Sequence, residues 1–156
     1  MNTAMPIGVD DFKKVRENCY FVDKTDFIRQ LIDSHSDVTL ITRPRRFGKT
    51  LTMSMLEYFF SIDRKKDSID LFQGLAIERA GTDYMKHQGQ YPVIFISLKN
   101  IQGSTWNDML DDMSIIFSDI YRKFRYLAQS NAIDDGLKAY FQKILYEKTL
   151  PNERVF

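Results

Sequence analysis

Residues 38–60 carry the pattern that most restricts this chain: a short apolar, β-branched run, a basic turn with one glycine, and a proline-free run suited to helix. Val38-Thr39-Leu40-Ile41-Thr42 has the length and composition of a strand buried on both faces, and Leu51 to Phe60 reads as helix. Between them stands Arg43-Pro44-Arg45-Arg46-Phe47-Gly48-Lys49-Thr50. A phosphate group needs backbone N–H donors at a helix start, a cation that reaches its outer oxygens and a hydroxyl for Mg²⁺. Gly48, Lys49 and Thr50 supply these in the right order. The full pattern asks for glycine five residues before Gly48, where this chain has Arg43. Glycine there permits a positive φ, whereas Arg43 resists it and is held toward extended geometry by Pro44. The loop is therefore a degenerate phosphate-binding loop.

The chain has 156 residues, the length of one domain, and its 44% hydrophobic and 13% aromatic content can fill a core. Twenty-two Lys and Arg against 21 Asp and Glu leave a formal charge of +1, so anion binding has to be local. Cys19 is the only cysteine, which excludes an intrachain disulfide and fits a reducing compartment, with a buried inert thiol as its expected role. No run approaches the ~20 apolar residues of a membrane span, and Met1 to Pro6 lacks a basic-then-apolar leader. The expectation is a cytoplasmic, soluble protein without membrane contact.

Elsewhere, Cys19-Tyr20-Phe21-Val22 reads as extended, and Asp23 or Thr25 as the cap of a helix burying Phe27, Ile28, Leu31 and Ile32, ended by Ser34 to Asp37. In the helix after the loop, Leu51, Met55, Tyr58 and Phe59 share a face, and Met53 and Met55 read as core filler. Arg64-Lys65-Lys66-Asp67 reads as a solvated loop, Leu71 to Gly74 as a helical turn closed by glycine, and Lys86 to Gln90 as loop. Val93 to Leu98 is expected as a second buried strand. Lys99 and Asn100 at its end become secondary site residues if it lies parallel to the first. Trp106, Leu110, Met113, Phe117, Ile120, Phe124 and Leu127 mark a long helix capped by Ser104 or Thr105, with Asp108, Asp111 and Asp112 solvated near its start. Asp134 caps a helix with Leu137, Tyr140, Phe141, Ile144 and Leu145 on one face, ended by Pro151. His35 and His87 read as surface residues outside any triad.

Hydrolysis of a bound nucleotide needs an acidic residue at the end of a neighbouring strand. No apolar run of this sequence ends in one; the second ends in Asn100, and Asp119 belongs by periodicity to the long helix. Val155-Phe156 suits the start of another strand, so the expected organisation is the front portion of a nucleotide-binding module. No catalytic residue is assigned.

As a whole the chain resembles the N-terminal part of the bacterial AAA-ATPase-like family, whose members are often fused to a C-terminal nuclease-like domain of the PD-(D/E)xK class. The resemblance rests on Pro6-Ile7-Gly8 with Asp11 to Lys14, on Tyr20 to Thr25, on Ile41 to Thr50 and on Tyr91 to Lys99. In that family arginine is usual at the loop's first position. The resemblance implies an α/β, P-loop NTPase-like fold, a parallel sheet flanked by helices and incomplete within this chain, spanning residues 1–156. Residues 1–36 form a lead-in with the first helix, and 37–156 the P-loop core with its following helices. It implies ATP and Mg²⁺ held by Gly48, Lys49 and Thr50, with Thr50 on the metal; the residues themselves add Arg45 and Arg46 as assisting cations and Phe47 as a backbone donor to the expected site. The resemblance also raises nucleic acid, reached through a nuclease-like domain, and a homo-oligomer as partners. The family's acidic strand end lies beyond the matched region. The alternative reading is a nucleic-acid or phospho-ligand module using Arg43, Arg45, Arg46 and Lys49 as a basic patch.

Overall fold

The computed structural model describes residues 4–99, 101–131 and 133–147, so expectations on Asn100, Pro151, Val155 and Phe156 lie outside the described residues. The chain divides into two compact units, one ending at Val93 and one beginning at Ile94.

Among its described residues the first unit has six α-helices. Asp11 starts α1 (Phe12–Asn18) by accepting the Lys14 N–H at 2.8 Å. Next come α2 (Asp26–Ser34), ended by His35 in the left-handed region, and the 12-residue α3 (Lys49–Phe60). A 3₁₀ turn (Ile62–Arg64) leads into α4 (Lys65–Leu71), which is followed by the short α5 (Ala76–Arg79) and α6 (Thr82–Met85). Helices α1 and α4 pack on α3, and α2 packs on α5. Their common core holds Phe12, Ile28, Met55, Tyr58, Phe59, Phe72 and Ile77. Phe72 stacks on Phe12 at 5.1 Å and meets Phe59 edge-on at 5.1 Å, a geometry that adds to the burial of three large rings. The end of α3 is tied to the end of the unit, since Gly89 and Tyr91 donate to the carbonyls of Phe59 and Phe60 and Ile62 donates to that of Tyr91. Gly89 has φ +62, and a Cβ there would come within 2.7 Å of the Lys65 side chain, so this crossing requires glycine.

The second unit runs from an irregular segment into α7 (Trp106–Lys123), a 3₁₀ turn (Arg125–Gln129) and α8 (Asp135–Glu147). Thr105 caps α7 with a reciprocal box: its hydroxyl accepts the Asp108 N–H, and the Asp108 carboxylate accepts the Thr105 N–H. Asp134 caps α8 by accepting the Leu137 N–H at 2.9 Å. The two helices pack together with Tyr121 against Phe141, and Ser118, Phe124 and Ile144 are buried.

The expected α/β fold with a parallel sheet is overturned, because the described residues form helices and contain no strand; an isolated parallel bridge joins Ser61 and Tyr91. Val38 to Thr42 and Val93 to Leu98 are irregular, and so is Cys19 to Val22. Val38 and Leu40 are 86% and 84% exposed, and Ile94, Ile96 and Leu98 are also exposed. The physical reason is that β-branched composition favours extended backbone but does not provide the neighbouring segment whose N–H and C=O groups make a ladder. The solvated loop expected at Arg64 to Asp67 is corrected too. It enters α4, with Arg64 over the Tyr58 ring at 4.9 Å and Asp67 paired with Lys13 at 2.7 Å.

Candidate functional site at the start of α3

The turn from residue 43 to residue 50 reverses the chain by two residues in the left-handed region, Arg46 at φ 68 and Gly48 at φ 73. Arg43 is not among them, so the conformational demand expected at the loop entrance falls three residues later. For Arg46 that conformation costs about 1 kcal/mol, whereas Gly48 adopts it without a Cβ to clash. The Phe47 N–H donates to the Pro44 carbonyl at 3.4 Å and closes the turn.

Gly48 is the N-cap of α3 and offers no side-chain acceptor. The N–H groups of Lys49, Thr50 and Leu51 therefore donate to no protein acceptor among the described residues. They carry the positive end of a 12-residue helix. The Lys49 ammonium bends back over the turn and donates to the carbonyls of Arg43 and Pro44, the latter at 3.0 Å. Thr50 is exposed. Arg43, Arg45 and Arg46 are exposed and make no ion pair among the described residues, and Phe47 stands 59% exposed beside them. Four cations in seven residues, with no carboxylate paired to them, make this a local anion-attracting surface on a chain of formal charge +1.

The secondary role of Lys99 and Asn100 depended on a shared sheet edge, which falls with the sheet; Lys99 is exposed in the second unit. The Phe21 ring packs edge-on against Phe12 at 5.5 Å, so it serves the core, while Tyr20 is exposed. Among the described residues no group of three or more His, Cys, Asp or Glu side chains gathers into a metal-binding cluster.

Two features were not anticipated from the sequence. Thr25 is the N-cap residue of α2, one of the two expected, but its side chain makes no capping bond there; with Asp23 it clips the start of α5. The Asp23 carboxylate accepts from the N–H and hydroxyl of Thr25 at 2.9 and 2.7 Å and from the Ala76 N–H at 2.7 Å, with Arg79 at 3.5 Å. The fully buried Thr25 hydroxyl accepts the Ile77 N–H at 3.1 Å. Burial pushes the Asp23 carboxyl upward, but the hydrogen bonds from Thr25 and Ala76 and the charge of Arg79 outweigh it and hold the group below its ordinary range. The second feature is Thr52, whose N–H and hydroxyl both donate to the Gly48 carbonyl, at 2.8 and 2.9 Å. Its position one helical turn after Gly48 was readable in the sequence; the Asp23 to Ala76 contact has no local signal.

A family model described as predicted AAA-ATPase, AAA-ATPase_like, matches residues 6–152. A protein of Azotobacter chroococcum mcd 1, described as "Uncharacterized protein in vnfD 5'region", is 38% identical over 95 residues, which cover 60% of this chain. The match spans 16% of that relative's length. No solved structure gives a significant match. No helix among the described residues is long and apolar enough to cross a membrane.

Proposed function

Since the chain belongs to the AAA-ATPase-like family of predicted AAA-ATPases, we propose that it binds ATP with Mg²⁺ at the turn opening α3, through Arg45, Arg46, Phe47, Gly48, Lys49 and Thr50. The observation that carries this reading is the uncapped start of α3 with Lys49 beside it: N–H groups free to donate, a helix dipole and an ammonium in one place. In this reading the backbone from Gly48 to Thr50 donates to phosphate oxygens, Lys49 exchanges its carbonyl partners for the outer phosphates, and Arg45 and Arg46 balance the remaining charge. The exposed Thr50 hydroxyl suits a hard cation that takes oxygen ligands and brings most of its shell from water and phosphate. When bound, Mg²⁺ neutralises charge on the phosphates. Turnover, unlike binding, needs an acidic residue for which this sequence offers no strand end.

Calorimetric titration of Mg-ATP into the wild-type chain and Lys49→Ala, with ADP and metal-free controls and folding verified by circular dichroism, tests it. Removing one charge-assisted contact is expected to weaken binding by roughly ten- to a hundredfold. Equal affinity in both proteins, or none in either, rejects the reading.

A second reading uses Arg43, Arg45, Arg46 and Lys49 as a basic patch and has its own observation, three exposed arginines without an ion pair among the described residues next to exposed Phe47. Such a surface suits a nucleic-acid backbone with one base stacked on the ring. Oligonucleotide binding that weakens with salt and persists in excess ATP would favour it.

A further inference from the structure

Resting on the phosphate-binding reading above, we propose that Thr52, outside the loop motif, is a positioning residue that aims the Lys49 N–H at the bound phosphate. In a trans peptide the C=O and N–H point in opposite directions, so whatever fixes the Gly48 carbonyl also fixes the Lys49 N–H. That carbonyl points into α3 and accepts two hydrogen bonds from one residue, the Thr52 N–H at 2.8 Å and the Thr52 hydroxyl at 2.9 Å. The Lys49 N–H on the other side of the plane is thereby directed out of the helix start, where it meets no protein acceptor among the described residues.

A threonine hydroxyl bonded one turn back is common in helices and is slightly unfavourable in their interiors. This one differs in its acceptor. Gly48 is the N-cap, is left-handed at φ 73, has open space around its Cα and makes no side-chain capping bond. Its peptide is therefore held by its carbonyl rather than by packing of a side chain. Two bonds converging on one carbonyl also polarise the peptide and strengthen its N–H as a donor.

The test compares the wild-type chain with Thr52→Val, Thr52→Ala and Thr52→Ser. Affinity for magnesium pyrophosphate and Mg-ATP is measured by calorimetry, and the ¹H–¹⁵N resonances of the Lys49 and Thr50 amides are recorded without ligand. The two variants lacking the hydroxyl are expected to bind about fivefold more weakly, the worth of one ordinary hydrogen bond. Thr52→Ser is expected within about twofold of wild type. The ligand-free Lys49 amide resonance is expected to move in Thr52→Val and Thr52→Ala, while the resonances of Phe59 and Phe60 at the far end of α3 stay in place. Wild-type affinity in a folded Val or Ala variant, or a Ser variant as weak as these, overturns the role of Thr52 and leaves the phosphate-binding reading standing. A wild-type chain that binds neither probe fails the reading itself, and the positioning role with it.

Discussion

The Asp23 carboxylate joins its own turn to a segment far along the chain, because it accepts from Thr25 and from Ala76 at once. Asp23→Ala frees the Thr25 and Ala76 N–H groups and leaves Arg79 without its partner at 3.5 Å. A loss of about 2 kcal/mol is expected in urea unfolding at neutral pH. The pH dependence has a definite direction. The folded group titrates below its ordinary range, so its contribution is complete above the unfolded value of about 4 and fades as pH falls through the lower folded value. The stability gap between wild type and Asp23→Ala should thus be constant from pH 7 to about 5 and shrink toward pH 2. At this scale the sequence showed the loop's residue types and the spacing of Gly48, Lys49 and Thr50. It could not show that Arg46 takes the left-handed conformation, since nothing in an arginine announces it.

Elements whose signals are local were readable, and those that depend on distant partners were not. The start of α7 combines a threonine with an aspartate three residues on, and both halves of the box form. Thr105→Ala should lower stability by about 1 kcal/mol, seen as a shift in the urea midpoint by circular dichroism, and Thr105→Ser should recover most of it. Helices α2, α3, α7 and α8 form where apolar periodicity placed helices, because a helix makes its hydrogen bonds within itself, although α7 ends at Lys123 and leaves the expected Phe124 and Leu127 to its cap and the following 3₁₀ turn. Among the apolar positions of α3, Met55, Tyr58 and Phe59 are buried as expected, whereas Met53 is exposed. Helix α4 was missed because its charged opening looks solvated until Lys13 and the Tyr58 ring, more than 40 residues from one another, come against Asp67 and Arg64. The expected strands failed for the complementary reason: residues 38–42 and 93–98 carry the composition but have no ladder among the described residues.

Across the whole chain, apolar surface is divided between an aromatic-rich core in the first unit and exposed stretches that the core does not use. Leu40 makes the difference measurable. A leucine buried in a sheet costs about 2–5 kcal/mol when cut back, but at 84% exposure Leu40→Ser should change stability by less than about 0.5 kcal/mol in thermal or urea unfolding. The near-neutral balance of +1 gives little long-range repulsion between copies, so the same substitution should also raise solubility. The clip at Asp23 has its own consequence for how the chain reaches this state. The Asp23 to Ala76 bond joins residues 53 apart, and closing so long a segment is entropically slow compared with winding α2 or α3. In stopped-flow refolding Asp23→Ala should accordingly leave the rate of forming the first unit nearly unchanged and speed its unfolding, which makes this carboxylate a latch set after the barrier has been crossed.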